Sequence, residues 1–275
     1  MKEFFGIGGY QRTPKGAYSP EHLLFVGALL LAMVVLAVFF GHKNRLKSEK
    51  DKTKVLIWSA ILIDSFEIFK IVSMCIRSSL ENGDVLRTVL QELPLFLCSI
   101  QLITIPLAAF AKGRTKEAAT DFVCIFGILG AVFGTIGAAQ NYSAYPVISL
   151  DNICSGITHS VSGFASLYIM FARMAKMKKK NLVITFSILF AFCISAYIVN
   201  LLIDYNYMFL MRDDGTPYSI VYNLVKGNPV LYPLIVVLLF VVYILLFYGL
   251  FHLIGKKKKD ITLTEYTDIK EGLTI

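Results

Sequence analysis

Charge is scarce in this chain. Only 17% of its 275 residues are Asp, Glu, Lys or Arg, against 56% hydrophobic, and the mean hydropathy is +0.65. Soluble domains carry about a quarter charged residues, so this balance excludes water as the surroundings of most of the chain. Cysteine is sparse as well: Cys75, Cys98, Cys124, Cys154 and Cys193 have no CxxC spacing, which argues against a thiolate metal centre or a disulfide framework. Carboxylates and histidines fall at no metal-ligand spacing, so no metal and no other cofactor is expected. Lysine is absent from the last apolar run, Val230 to Ile254, which rules out a retinal Schiff base there. No internal repeat is present, and the short loops leave no length for a second soluble domain.

What the chain does have is long apolar runs. A hydrocarbon core of about 30 Å needs about 20 helical residues at 1.5 Å each. Seven stretches qualify: Leu23 to Phe40, Val55 to Ile76, Leu93 to Ala111, Ala118 to Ala139, Ile153 to Phe171, Leu182 to Ile203 and Val230 to Ile254. The expectation is an all-α, polytopic seven-helix bundle. It is preceded by a leader (residues 1–22) and followed by a basic tail (residues 255–275). The first run follows a polar leader and no small-residue cleavage site comes after it, so it reads as a span, not a signal peptide. Pro94 is placed in the first turn of the third helix, and Pro106 further along is expected to kink it.

Orientation follows from Lys and Arg. Seven fall in the leader and the segments after runs two, four and six, whereas nineteen fall in the alternate segments, chiefly Lys43 to Lys54, Lys112 to Lys116, Arg173 to Lys180 and Lys256 to Lys259. The positive-inside rule then places the amino terminus outside and the carboxyl terminus in the cytoplasm of a multi-pass protein of the cell membrane. The net charge of +8 therefore points to anionic lipid headgroups at helix ends, with no nucleic-acid partner. On this topology Cys75 and Cys154 both approach the outer face, where a bridge between them is conceivable. Gly127, Gly130, Gly134 and Gly137 make a stripe of small residues suited to close helix contact, inside the bundle or in a homodimer.

Intramembrane ionisable groups are costly and so point to function. Counting residues from the outer ends puts Cys98 about 7 Å deep and His159 and Lys70 about 9 Å deep. Glu67 lies one turn below Lys70, and Asp64, Glu67 and Lys70 recur on one helix face. Asn200, Asp204 and His22 lie near the same level. Together they suggest a polar cavity opening outward, with Glu67, Lys70, Gln101, Asn200, Asp204, Asn206, Tyr207 and His22 as candidate substrate-binding residues. A cysteine and a histidine at equal depth describe a nucleophile and its base. They equally describe a packing residue and a hydrogen-bonding group.

Several short motifs are similar to a known family. Leu93-Pro94-Leu95-Phe96-Leu97-Cys98, His159, and Asn206-Tyr207-Met208-Phe209-Leu210 followed by Pro217, Ser219, Gly227, Pro229 and Tyr232 resemble the YwaF-like family of integral membrane proteins, as does His22-Leu23. The family pattern carries a His where Phe96 stands and an acid where Ser99 stands. Its Trp-rich last element is reduced here to Gly227-Asn228-Pro229-Val230-Leu231-Tyr232. The family's animal branch is a lipid acyltransferase with a membrane cysteine, and more distant relatives are lipid-ester hydrolases. The resemblance thus implies catalytic Cys98 and His159, membrane lipids as substrates, and an oxyanion held by Asn200, Asn206 or Tyr207. The alternatives are a transporter using Glu67, Lys70 and His159, with Pro106 marking a discontinuous helix, and a seven-helix sensor without enzymatic activity. The loop Arg212 to Asn228 is positioned to act as a lid.

Overall fold

The computed structural model describes residues 2–272, with side chains described as far as Ile254. The expected basic tail, residues 255–275, lies outside the described side chains. The described residues form helices and connecting turns, with no strand. Helix α1 (Pro20–Asn44) starts where the Ser19 hydroxyl accepts the amide of His22 and Pro20 fixes the first-turn φ. Ser48 caps α2 (Glu49–Leu80) and Asp84 caps the short α3 (Val85–Gln91) in the same way. After α4 (Gln101–Phe110), α5 (Gly113–Thr135) and α6 (Ala139–Ala144), Ser149 caps α7 (Leu150–Phe171). Helices α8 (Leu182–Ile203), α9 (Ser219–Leu224) and α10 (Leu231–Gly272) complete the chain.

Among the described residues four helical stretches are long and apolar enough to cross a membrane: Pro20–Asn44, Gly113–Ala144, Lys179–Ile203 and Leu231–Ile254. Helices α2 and α7 have the length, at 32 and 22 residues, but carry polar faces that turn toward each other in the interior. The third expected span differs. The expectation of one helix from Leu93 to Ala111 with Pro94 in its first turn is corrected: Leu93 to Ile100 is irregular and α4 begins at Gln101. Proline biases the residue before it away from the helical region, and the backbone groups freed here are met by side chains. Tyr207 Oη donates to Leu90 O (2.5 Å) and accepts from Leu93 N (3.1 Å), while Ser99 Oγ accepts from Phe96 N (3.1 Å).

Helix α5 is the centre of the bundle. Phe122 to Phe126 are buried on all sides, and α5 packs closely along α7 and α4. The glycine stripe makes this approach possible. A Cβ on Gly127 would fall 2.6 Å from the Ser162 carbonyl oxygen, and Ser162 and Ser166 donate across the interface to Gly127 O (3.3 Å) and Cys124 O (2.6 Å). Gly127, Gly130 and Gly134 are thereby occupied within the chain, so a homodimer would have to use another surface. Helix α10 joins through Tyr243, which donates to Ile125 O (2.9 Å), and Tyr248, which donates to Asp121 Oδ2 (3.2 Å).

The two ends of the bundle differ in charge. At one end Lys116 reaches Thr53, Glu117 pairs with Lys176 and Lys178, and buried Asp121 accepts the amides of Lys176 and Met177, gathering three basic segments. At the other end the leader packs over α2 and α7: Leu150 N donates to Phe4 O, and Arg77 Nη1 donates to Phe5 O.

Candidate functional site

A cavity of about 470 Å³ lies between α2, α7 and the irregular segment that leads into α4. Its walls include Glu67 and Lys70 of α2, Glu92, Phe96, Cys98 and Ser99 of the segment, His159 of α7, and Tyr145 and Tyr205. Cys98 reaches it because the chain is held open just upstream by Tyr207 and turned by Ser99. His159 reaches it because α7 presses its ring onto the glycine face of α5.

The two residues share one floor. Cys98 Cβ lies 3.2 Å from where a Cβ on Gly130 would sit, and the His159 ring lies 2.2 Å from where one on Gly134 would sit. Gly130 and Gly134 are one helical turn apart, about 6 Å between Cβ positions. Cys98 Cβ and the His159 ring therefore rest against neighbouring turns of α5, and no hydrogen bond joins the two side chains. The His159 ring has no hydrogen-bond partner among the described residues.

Charge in the cavity is organised around one cation. Lys70 Nζ lies 2.7 Å from Glu67 Oε1 and 3.0 Å from Glu92 Oε2, with all three side chains mostly buried. Burial of this kind is tolerated because each charge meets an opposite one. Asp64, expected on the same face, is not part of the lining. Beside the leader, Asp151 of the same wall accepts a bidentate pair from Arg77 at 2.9 Å in both bonds and a further bond from Tyr10 Oη. Burial acts to raise the Asp151 pKa, but the Arg77 and Tyr10 hydrogen bonds outweigh it and hold the carboxyl below its ordinary value.

Other residues expected near the site have different places. His22 is fully buried, stacked 3.8 Å from Tyr142, and its ring binds Tyr18 N and Thr135 O. Asn200 closes the loop after α8 by bonding both the N–H and the C=O of Tyr207. Asn206 binds the backbone of Met211 and Arg212 and the carboxylate of Asp214. Tyr207 is committed to Leu90 and Leu93. Asp204 is a left-handed cap whose side chain is 93% exposed beside Arg212. These five lie outside the cavity lining, so the oxyanion role expected of Asn200, Asn206 or Tyr207 has no support in their geometry. Gln101 is fully buried one turn after Cys98; its Oε1 accepts from Thr104, and its Nε2 has no partner.

All five cysteines are free thiols, Cys75 and Cys154 included. Among the described residues one hydrogen bond ties the loop from Arg212 to Asn228 to the cavity lining, Asp214 O accepting from Gln140 Nε2 (3.0 Å). Among the described residues no group of three His, Cys, Asp or Glu is arranged to hold a metal ion. Sequence reasoning missed Glu92, Ser99 and the Arg77–Asp151 pair. The signal for Glu92 was its place directly before the Leu93-Pro94 step; for Arg77 and Asp151, separated by 74 positions, there was none.

No curated protein and no solved structure matches the chain. A family model does, over residues 17–251, which include every cavity wall described above. With its apolar helices and its buried polar interior, this multi-pass membrane protein belongs to the TMEM164 family.

Proposed function

We propose that the chain is a seven-pass lipid acyl-transfer enzyme of the cell membrane, amino terminus outside, in which Cys98 is the nucleophile and His159 its proton carrier. The observation that supports this reading is the shared floor: Cys98 Cβ and the His159 ring rest one turn apart on Gly130 and Gly134, and both residues line one polar cavity inside an apolar bundle. In the first half-reaction His159 takes the Cys98 proton and the thiolate adds to the carbonyl carbon of a lipid ester. Collapse of the tetrahedral adduct breaks the C–O bond, and the departing alkoxide takes the proton back from the imidazolium. In the second half the hydroxyl of a lysolipid, or water, attacks the thioester, and Cys98 leaves with a proton returned through His159. The two acceptors define transferase and hydrolase outcomes of one intermediate. Basic segments Lys43 to Lys54, Lys112 to Lys116 and Arg173 to Lys180 would rest against anionic headgroups on the cytoplasmic face.

A second reading, transport, draws on a different observation. Lys70 between two carboxylates beside an interrupted helix is the arrangement expected of a coupling site. Lipid turnover in nanodiscs separates the two. The acyl-transfer reading expects Cys98→Ala to abolish release of fatty acid or acylated product while Glu67→Gln retains it. Turnover that survives Cys98→Ala would reject Cys98 as the nucleophile, and no turnover in the wild type would reject the enzyme.

A further inference from the structure

At the leader end the cavity is walled by α2, through Lys70 and Met74, and by α7, through Asp151 and Ser155. From Asp151 it runs down α7 to His159, eight residues or about 12 Å. The leader bridges these two helices. Phe4 O accepts the amide of Leu150, the first residue of α7 (3.1 Å), Phe5 O accepts from Arg77 Nη1 of α2 (3.2 Å), and Gly8 N donates to Glu81 Oε1 just past the end of α2 (3.1 Å). Tyr10 completes the bridge. Its hydroxyl donates to Asp151 and accepts from Arg77 Nη1 (3.4 Å), and its ring meets that of Tyr145, another wall residue, edge to face at 5.6 Å.

This hold is polar and shallow. Between Lys2 and Ser19 only Gly6 is buried, and no described side chain of the leader belongs to the apolar core. Gly6, at φ +69°, lies directly against the latch: a Cβ there would fall 2.6 Å from Arg77 Nη1 and 2.8 Å from the Tyr10 ring. Gly16, at φ +89° with nothing within 4 Å, gives the chain a free bend before Ser19 caps α1. Helices α2 and α7 are anchored differently, by core residues such as Leu56, Ile63, Tyr168 and Ile169. A segment held by a few polar bonds and little apolar burial opens while the core stays folded, and lids are drawn from such segments.

We infer that the leader from Phe4 to Tyr10 is a strap that opens and closes the leader end of the cavity, latched by Tyr10 on Asp151 and Arg77. Closed, it holds the start of α7 against the end of α2. Released, it withdraws Tyr10 from Asp151 and Tyr145 and leaves the Arg77–Asp151 pair facing solvent, where an ion pair holds little. The mouth between α2 and α7 then widens. The strap governs entry to the cavity, and it does so equally for an ester substrate and for a transported one.

The test uses the full-length protein in nanodiscs and the membrane-impermeant thiol reagent MTSET, with the labelling rate of each cysteine followed by mass spectrometry. Gly6→Val sets a side chain against Arg77 and Tyr10 and lifts the strap without altering any wall residue. Tyr10→Phe removes one hydroxyl and is the milder change, so it decides the matter should Gly6→Val fail to fold. Loss of a hydrogen bond to a charged group shifts an opening equilibrium by about tenfold or more. Cys98 should therefore label about tenfold faster in both variants, while Cys124 and Cys193, buried in the core, stay unlabelled. A Cys98 rate in Tyr10→Phe equal to that of wild type overturns the strap. So does a rise at Cys98, Cys124 and Cys193 together in Tyr10→Phe, which would make the leader a staple of the fold and not a gate. MTSET reads access and not acyl transfer, so the strap stands or falls separately from Cys98 as nucleophile.

Discussion

The imidazole of His159 rests on Gly134 so closely that a methyl group there would fall 2.2 Å from the ring. Gly134→Ala therefore has to push the ring, or all of α7, away from α5. Overpacking of this kind costs about 1–3 kcal/mol. Gly130→Ala, meeting Cys98 Cβ at 3.2 Å, perturbs less, and Gly249→Ala, with nothing within 4 Å, is silent. Thermal unfolding in detergent and the rate of Cys98 labelling should both follow the order Gly134, Gly130, Gly249. Equal effects at all three positions would show that the glycine floor does not set the site.

Lys70 holds Glu67 and Glu92 together across the cavity. Lys70→Met leaves two carboxylates facing each other without a cation, and breaking a buried pair costs about 3–5 kcal/mol. Glu67→Gln leaves Lys70 its second partner and costs less. Denaturation of the two variants and their double mutant measures the coupling; a Lys70→Met protein as stable as wild type would mean that water already neutralises the triad.

The Arg77–Asp151 pair should make stability depend on pH at the leader end. Asp151 has a lowered pKa in the fold, so its contribution is fully present above the unfolded Asp value of about 3.9 and is lost as pH falls through the folded value. Wild type should lose stability on acidification below about pH 4 more steeply than Asp151→Asn. Parallel pH profiles would contradict this.

Tyr207 serves both Leu90 O and Leu93 N through one hydroxyl. Tyr207→Phe leaves two backbone groups unmet at a cost of about 1–3 kcal/mol each. Hydrogen exchange should rise in Leu90 to Cys98 with little change in α5. Unaltered exchange would show that the segment is held without it.

The depth of polar groups could be counted from the chain ends, and Cys98, His159, Glu67 and Lys70 do meet in one cavity. Their direction around each helix could not be counted. His22 and Asn200, counted to a similar level from the sequence, turn to backbone partners, as do Asn206 and Tyr207, because buried loop ends need those bonds first. The glycine stripe was visible as small residues, but the identity of what lies on it was not. Glu92 escaped notice because its partner Lys70 lies on another helix. The half-helix α4 was hidden because Leu93 to Ile100 is apolar enough to read as span, whereas its conformation depends on Tyr207, more than a hundred residues later.

The central claim, that Cys98 is a nucleophile activated by His159, is tested most directly by mass spectrometry. The full-length protein in nanodiscs is treated with a thiol-reactive lipid-ester probe, and the adducts are mapped in wild type and His159→Ala. Selective acylation of Cys98 that disappears without His159 is the result expected. Absent labelling, or equal labelling at Cys75, Cys98 and Cys154, would show ordinary thiols and contradict the account.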